Sequence, residues 1–248
     1  MPVYLSRLVL NPRSRAVRRD LSDCQSLHRT VMSAFPTVPS RGDSQGAGIA
    51  HADAEGGVSG EGARARHGVL HRLDTDSRSG RIVLYVQSLA EPDWSRLASD
   101  YLLTQLGLEN PACKLVRDQY RSIRPGTVLR FRLRANPTKK VDTQSGPNGE
   151  KQNGRRIGLF REEDLVGWLE RKAEDGGFTL LDVAVNGAGP DGRVQGLHPV
   201  GKMIFRSVTF EGRLVVSDAD RFQKTLAAGL GSAKAYGFGL LSVAPAAG

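Results

Sequence analysis

The stretch Val128-Leu-Arg-Phe-Arg-Leu-Arg-Ala135 alternates strictly between apolar and basic residues. Because successive side chains of a β-strand point to opposite faces of a sheet, a strand would gather Leu129, Phe131 and Leu133 on one face and three arginines on the other. A helix would scatter the same arginines around its axis. We therefore predict a strand with one face in a hydrophobic core and one positively charged face.

The segments before this strand predict the order of a ferredoxin-like βαββαβ unit. The expected elements are a strand at 2–10, a helix opened by a capping box at 22–25, a hairpin at 69–73 and 81–89, and a short helix at 92–98. The buried stripe of the first helix should contain Cys24, Leu27, Val31 and Ala34 or Phe35. The segment 41–62 holds seven glycines and four acids, and we expect a flexible insertion there.

The same order is expected again after a polar linker at 138–153. The predicted elements are strands at 156–160 and 178–185, helices at 162–174 and 218–228, a hairpin at 201–216 turning at Glu211-Gly212, and a last strand at 238–243. The chain would thus contain two units of similar topology.

Positive charge is concentrated in one segment. The 248 residues carry a formal charge of +9, and residues 114–140 hold nine basic side chains and one acid, Asp118. A charge run is often only a solvated face, but so strong a bias in sign favours a polyanionic partner.

Composition also limits the function classes. Cys24 and Cys113 are far apart and no histidine spacing matches a zinc site, so we expect neither a disulfide framework nor a bound metal or other cofactor. No apolar run has the length of a membrane span, and the start of the sequence lacks the layout of a signal peptide. A cytoplasmic protein without a membrane partner is expected.

Four glycines surround one lysine near the end of the sequence. They are Gly229, Gly231, Gly237 and Gly239, around Lys234. The segment lacks the Gly-Lys-Ser/Thr of a P-loop, and it runs from a helix into a strand, the reverse of a dinucleotide-binding motif. Since glycine permits close approach of the backbone to a phosphodiester, RNA is the expected ligand, with a tight turn as the alternative interpretation.

Several motifs in this order resemble the CRISPR repeat-processing endoribonucleases of the CasE type, from the type I-E system. The matching segments include Asn11-Pro-Arg-Ser-Arg15, Leu27-His-Arg-Thr30, 129–137, 210–216 and the glycine-rich segment. The resemblance implies an α+β fold with two tandem ferredoxin-like domains and antiparallel sheets. We expect the N-terminal domain at 1–137 and the C-terminal domain at 154–248.

The same resemblance implies a function. It implies a metal-independent endoribonuclease that binds the repeat stem-loop of precursor crRNA and cleaves at its 3′ base by attack of a 2′-hydroxyl. The enzyme would then remain on the mature crRNA, together with the other Cascade subunits. We expect the free protein to be a monomer.

His28 is the catalytic residue that the resemblance implies. The ordinary pKa of histidine suits a proton shuttle, and helical spacing sets this ring beside the buried stripe. Relatives carry a tyrosine at the position of Gln25, and glutamine is neither an acid nor a base near neutral pH. We therefore expect His28 to act with cations, and cleavage to be slow. Gln25, Arg29 and Lys234 are candidates for catalytic support, with a solvated helix residue as the alternative for Arg29.

Candidate RNA-binding residues lie in four segments. They are Arg13, Arg15 and Arg18 near the start; Arg130, Arg132 and Arg134 on the alternating strand; Lys202 and Arg206 in the predicted hairpin; and Gly231, Lys234 and Tyr236 near the end. Tyr236 either stacks on a base or packs internally. Two other functions stay open: a module that holds structured RNA without cutting it, and a metal-dependent nuclease that EDTA would inhibit.

Overall fold

The computed structural model describes residues 2–37, 60–76, 78–104, 107–141, 155–187, 192–198 and 201–246. Its strands are β1 (Tyr4–Val9), β2 (Leu70–Thr75), β3 (Ile82–Ser88), β4 (Ala112–Leu115), β5 (Val128–Ala135), β6 (Thr138–Val141), β7 (Arg155–Gly158), β8 (Phe178–Asn186), β9 (Arg193–His198), β10 (Gly201–Arg206), β11 (Val208–Val216) and β12 (Leu241–Pro245). Its helices are α1 (Arg15–Ser22), α2 (Cys24–Ser33), α3 (Gly60–Arg66), α4 (Arg117–Arg121), α5 (Glu162–Gly176) and α6 (Ala219–Ala228).

The first sheet has the strand order β2-β3-β1-β4, and all its pairs are antiparallel. This is the ferredoxin-like arrangement, in which the first and third strands of the unit lie at the centre. Helices α1 and α2 pack on the sheet, because their apolar stripes join those of the strands in one buried cluster. That cluster includes Leu8, Val17, Leu27, Val31 and Leu84.

The second sheet has the order β12-β5-β11-β8, which is again ferredoxin-like and antiparallel. Helices α5 and α6 cover one face, and Phe131, Leu169, Phe210 and Phe222 belong to its core. The predicted class of two tandem ferredoxin-like domains is thereby confirmed. No helix within the described ranges combines the length and the apolar character that crossing a membrane requires.

The alternating strand is confirmed, but it belongs to the second sheet. Leu129, Phe131 and Leu133 are 6%, 4% and 0% exposed, as their period predicts. Because β5 pairs with β11 and β12, it is the first strand of the C-terminal unit. This pairing corrects the assignment of the strand to a domain ending at residue 137, and it favours a boundary at 122–127. The short strand β4 fills the fourth position of the first sheet instead.

The predicted linker at 138–153 is wrong at its first residues. Strand β6 pairs with β7 in a two-stranded ribbon, with Lys139 opposite Ile157 and Lys140 opposite Arg156. Residues 142–153 lie outside the described ranges. Strand β7 is therefore part of this ribbon and not the first strand of the C-terminal sheet. We call β6 and β7 the basic ribbon.

The predicted hairpin at 201–216 is also wrong. Strand β10 pairs back to β9. Glu211 and Gly212, expected at a turn, lie inside the continuous strand β11. Glycine is needed at position 212 because a side chain there would collide with the backbone of Asp182 on β8. Glycine is present at position 212 because two strands approach each other closely there. From the sequence alone, such a glycine looks the same as one in a turn.

Two features near the N-terminus also differ from the prediction. Helix α1 was not anticipated, and the cap of α2 is Asp23, whose carboxylate accepts from the backbone N–H of Gln25 and Ser26. Ser22 ends α1 and donates its hydroxyl to the carbonyl of Arg19 at 2.8 Å. Of the predicted insertion at 41–62, residues 41–59 lie outside the described ranges, and α3 begins at Gly60.

A buried arginine fixes the two sheets against each other. Arg72 on β2 is 3% exposed and pairs with Asp74 at 2.8 Å. Its guanidinium also donates to the carbonyl of Arg132 at 3.2 Å and to the hydroxyl of Ser242 at 2.9 Å. The edge of the first sheet therefore contacts β5 and β12 of the second. This contact brings helix α2 close to the glycine-rich segment before β12.

Candidate active site

His28 lies on α2, and its ring contacts the glycine-rich segment at 229–239. The side chain is 7% exposed and hydrogen-bonds with the backbone of Ala235. The ring of Tyr236 meets it edge-on, with centroids 6.1 Å apart. The buried stripe predicted for this helix is confirmed, since Leu27 and Val31 are 3% and 0% exposed. The ring of His28 is more deeply covered than its place beside that stripe suggested.

Burial lowers the pKa of His28 to about 4. The positive charges of Arg64 and Arg29 act in the same direction, while the hydrogen bond with Ala235 acts in the opposite one. Near neutral pH the imidazole is therefore uncharged. An uncharged imidazole has a nitrogen that accepts a proton, which is the state that a general base requires.

A second buried imidazole lies against the same segment. His71 on β2 is 1% exposed, and its Nε2 has no hydrogen-bond partner among the described residues. Burial lowers its pKa to about 3, and the neighbouring His28 and Arg134 add to that effect. Gly237 passes close to this ring with φ +87°, a left-handed conformation that favours glycine. Both histidines thus lie against the short stretch of backbone at 235–237.

A cleft of about 790 Å³ opens on the solvent side of this segment. Its cationic lining residues are Arg64, Arg156, Arg193, Arg206 and Lys234, and its aromatic ones are Phe160, Phe205 and Tyr236. Phe205 and Tyr236 stack with centroids 4.8 Å apart, and the guanidinium of Arg206 lies 4.1 Å from the centroid of the Phe160 ring. A basic groove with aromatic rings suits a nucleic-acid strand. His28 is not among the lining residues, because Ala235 and Tyr236 come between it and the cleft.

The cleft unites only part of the predicted RNA-binding set. Arg206, Gly231, Lys234 and Tyr236 all line it. Lys202 is exposed on β10 but does not line it.

The three arginines near the N-terminus lie elsewhere. Arg13, Arg15 and Arg18 are exposed around the start of α1 and line neither the cleft nor the groove beside α5. The guanidinium of Arg18 donates to the carbonyl of Arg13 at 3.0 Å. Nothing in the described structure joins this group to the cleft.

Two of the three arginines predicted to form a positive face on β5 have partners within the protein. Arg132 pairs with Asp74 at 3.1 Å and also with Glu211. Arg134 donates to the hydroxyl of Ser207 at 2.7 Å and lies over the ring of Phe238. Arg130 is exposed, and no ion pair found within the described ranges includes it. The Arg132 side chain therefore bridges an acid of each domain, while that of Arg134 contacts Ser207 and Phe238 of its own C-terminal unit. RNA binding by the arginines of β5 stays a prediction.

The candidates for catalytic support have different environments. Gln25 is half-buried, and its Oε1 has no hydrogen-bond partner in the described structure. Arg29 is exposed on α2, yet near enough to His28 to lower its pKa. Lys234 lines the cleft one residue before Ala235. Within the described ranges, no group of three or more His, Cys, Asp or Glu side chains has the arrangement of a metal site.

Sequence reasoning missed several cationic residues of the cleft. Arg64 follows the segment interpreted as an insertion, and Arg193 is the first residue of β9, a strand that was not predicted. Arg156 was assigned to a strand of the C-terminal sheet, although its pairing opposite Lys140 makes it part of the basic ribbon. A signal was present in the clusters Lys139-Lys140 and Arg155-Arg156, which would have suggested a basic hairpin.

The family model described as "CRISPR associated protein" matches residues 3–245. The chain belongs to this family. It is 36% identical over 255 residues to the CRISPR-associated endoribonuclease Cse3 of Thermus thermophilus, covering 98% of this chain and all of that protein. It is 33% identical over 135 residues to the Cascade subunit CasE of Escherichia coli, covering 48% of this chain and 59% of that protein.

Solved structures of family members are similar over the whole fold. Thermus thermophilus Cse3 bound to an RNA representing a pre-cleavage complex superposes with a TM-score of 0.71 at 34% identity, covering 99% of this chain and all of that one. Cse3 bound to a 19-nucleotide RNA superposes with the same TM-score at 33% identity and the same coverage. The resemblance to the CasE type within this CRISPR-associated family is thereby confirmed.

Proposed function

We propose that this protein is a CRISPR repeat-processing endoribonuclease. It binds the stem-loop of precursor crRNA and cleaves at the 3′ base of the stem without a metal ion. The observation that carries the proposal is the position of His28, an uncharged imidazole behind a basic and aromatic cleft, held by the backbone of the glycine-rich segment. The similarity to Cse3, named an endoribonuclease, supports the same reaction class.

The reaction we propose is an internal transesterification. The 2′-oxygen beside the scissile phosphate forms a bond to phosphorus, and its proton passes to His28. The bond from phosphorus to the 5′-oxygen breaks, that oxygen takes up a proton from water, and His28 afterwards returns its proton to solvent. The products carry a 2′,3′-cyclic phosphate and a 5′-hydroxyl. Because one nitrogen of His28 engages Ala235, the other is the nitrogen that accepts the proton.

Access to His28 requires a local movement. Ala235 and Tyr236 separate the imidazole from the cleft, and the imidazole is only 7% exposed. We infer that the RNA displaces the ring of Tyr236 from His28 when its phosphate enters the cleft. The stacked ring of Phe205 offers an apolar surface beside which a displaced Tyr236 or an unpaired base can stack.

Cations supply the remaining catalytic help in this proposal. Lys234 lines the cleft next to Ala235, so its ammonium is suited to stabilise negative charge on the phosphate. Arg29 and Arg64 both lie close enough to His28 to affect its pKa, and they add positive potential there. Gln25 contributes a hydrogen bond at most, since its amide does not titrate near neutral pH. We expect slow cleavage, which suits an enzyme that retains its product.

The stem contacts we propose are made by the basic ribbon and by the arginines of the cleft. Lys139 and Lys140 are exposed on the ribbon, and Arg156 extends from it into the cleft. The deep, narrow major groove of A-form RNA favours recognition through phosphates and shape over base edges. Arg130 remains a candidate for a peripheral phosphate contact, as do Arg13, Arg15, Arg18 and Lys202.

We further propose that the protein is a cytoplasmic monomer when free and that it stays on the mature crRNA as a Cascade subunit. The similarity to the E. coli protein named Cascade subunit CasE supports this assignment. Retention follows physically if most of the binding energy comes from the stem, because cleavage at the 3′ base leaves the stem contacts intact.

Incubation of an end-labelled repeat hairpin with the protein in EDTA tests the proposal. We expect one cut at the 3′ base of the stem, with a cyclic phosphate on the upstream fragment and a hydroxyl on the downstream one. Tight binding without cleavage would instead support an RNA-holding module, a rival that the burial of His28 and the presence of Gln25 make worth testing. Cleavage that requires an added divalent ion would overturn the metal-independent mechanism.

A further inference from the structure

A second groove lies on the other side of the glycine-rich segment, between the basic ribbon and α5. It has a volume of about 590 Å³. Its cationic lining residues are Lys139, Arg156, Arg171, Lys172 and Lys234, against one acid, Asp175. Arg171 is exposed on α5, and Lys172 pairs with Asp175 at 3.4 Å. This charge balance favours an anionic ligand.

The groove is continuous with the catalytic cleft. Asn136, Arg156, Gly231, Ser232 and Lys234 line both of them. The backbone at 231–234 therefore borders both, so a strand that passes from one to the other runs along it. A chain that continues past Lys234 into this groove meets the lining that Arg171 and Lys172 supply.

The size and lining of the groove favour a single strand over a duplex. A volume of about 590 Å³ is in the range of pockets that hold one small ligand, on the order of one or two nucleotides. Binding of single strands typically combines a positive groove along the backbone with a ring surface. Trp168 lines this groove but is only 6% exposed and stacks on Phe210 in the core, so the groove holds a strand through its cations and not through a ring.

We propose that this groove, through Arg171 and Lys172 on α5, binds the single-stranded RNA immediately 3′ of the scissile phosphate. This inference rests on the proposed function, in which the cut falls at the 3′ base of the stem. The nucleotides upstream of the cut are then paired in the stem, and only those downstream are single-stranded. The downstream fragment keeps its groove contacts until it dissociates, while the stem stays on the other face.

The experiment compares three RNAs with a 2′-deoxy nucleotide at the cleavage site, so that binding is measured without cutting. One hairpin ends at that site, one carries a 3′ single-stranded extension and one carries a 5′ extension. The double substitution Arg171→Gln with Lys172→Gln is compared with Lys114→Gln, an exposed lysine on β4 outside both grooves. Thermal melting checks that each variant is folded.

We expect the double variant to bind the 3′-extended RNA about tenfold more weakly. Its salt slope should fall by roughly 1.4 units, about 0.7 for each single-strand phosphate that the variant no longer binds. The affinity of the double variant for the other two RNAs should change less than about twofold. Lys114→Gln should leave the affinity for all three RNAs unchanged. Equal losses on all three RNAs, a loss confined to the 5′ extension, or no loss would each overturn the inference. Cleavage of the hairpin by the wild-type protein tests the proposed function separately, since it does not depend on this groove.

Discussion

The carboxylate of Asp23 accepts a hydrogen bond from the backbone N–H of Leu197 at 3.1 Å while it caps α2. One side chain therefore fixes both the start of the helix that carries His28 and the ribbon of β9 and β10. That ribbon contributes Phe205 and Arg206 to the cleft. The geometry of the site depends on this junction between elements far apart in sequence.

Replacing Asp23 with alanine should lower stability and cleavage together. Loss of an N-cap typically costs about 1–2 kcal/mol, and here the bond to Leu197 is lost as well. Asp23→Asn retains an oxygen acceptor and a good cap, so it should lose less than half as much stability in urea unfolding. Equal losses of stability in the two variants would show that the hydrogen bonds accepted by the side chain at position 23 do not stabilise the protein.

Arg134 and Arg130 provide a matched pair on one strand. Arg134→Gln should destabilise the protein by about 1–3 kcal/mol, because it removes a charged donor to Ser207 and the contact with Phe238. Arg130→Gln, at an exposed position, should change stability by less than about 0.5 kcal/mol. Urea unfolding monitored by tryptophan fluorescence measures both. Similar small effects for the two would mean that the contacts of Arg134 with Ser207 and Phe238 are weak.

The buried histidines predict a loss of stability in mild acid. Burial lowers the pKa of His71 to about 3 and that of His28 to about 4, below the ordinary value near 6.5. The unfolded chain therefore binds more protons as pH falls below about 6.5, and stability should decrease by up to about 1.4 kcal/mol per pH unit for each imidazole. The decrease continues to about pH 4 for His28 and about pH 3 for His71.

His71→Phe removes one of these two titrations. Its unfolding free energy should fall less steeply than that of the wild type between about pH 6 and about pH 4.5, in urea titrations at each pH. His71→Asn, which also lacks a titrating group, should show the same shallower slope even if it is less stable overall. If the unfolding free energy of both variants depended on pH as steeply as that of the wild type, His71 would not contribute to the loss of stability in acid.

Tyr236 covers His28 in the unbound protein, and its removal should make the imidazole easier to protonate. In Tyr236→Ala we expect the pKa of His28, followed by NMR, to rise from about 4 towards its ordinary range, because desolvation is its largest cause. Tyr236→Phe keeps the ring and should leave the pKa within about half a unit of the wild type. An unchanged value in Tyr236→Ala would show that other groups bury His28.

The local patterns in the sequence predicted the elements well and their partners poorly. The period of two in β5 identified a half-buried strand, and the helical spacing of α2 identified its buried stripe. The sheet to which β5 belongs could not be predicted from its own residues. Its pairing with β11 and β12 depends on segments that are distant in sequence, and the pattern of one strand does not encode it. The same limit explains why the turn predicted at Gly212 is a site of close strand packing.

Site residues that lie in a recognisable sequence motif could be predicted. Site residues that only the tertiary fold brings to the cleft could not. His28, Lys234 and Tyr236 each lie in a recognisable segment, and the structure brings them to one place. Arg64 and Arg193 carry no local signal, since their proximity depends on α3 and on the β9–β10 ribbon. For β5, alternation showed which arginines share a face, but not that Arg132 pairs with Asp74 and Glu211 or that Arg134 contacts Ser207.

The most direct measurement of the central claim is the single-turnover cleavage rate of His28→Ala in EDTA at neutral pH, beside the affinity for a 2′-deoxy-blocked hairpin. His28→Gln, which keeps more of the buried volume, serves as the control for packing. We expect a rate reduced by roughly 10²–10⁴-fold in both variants, with affinity within about twofold of the wild type. Cleavage within about tenfold of the wild-type rate in either folded variant would contradict the catalytic role of His28.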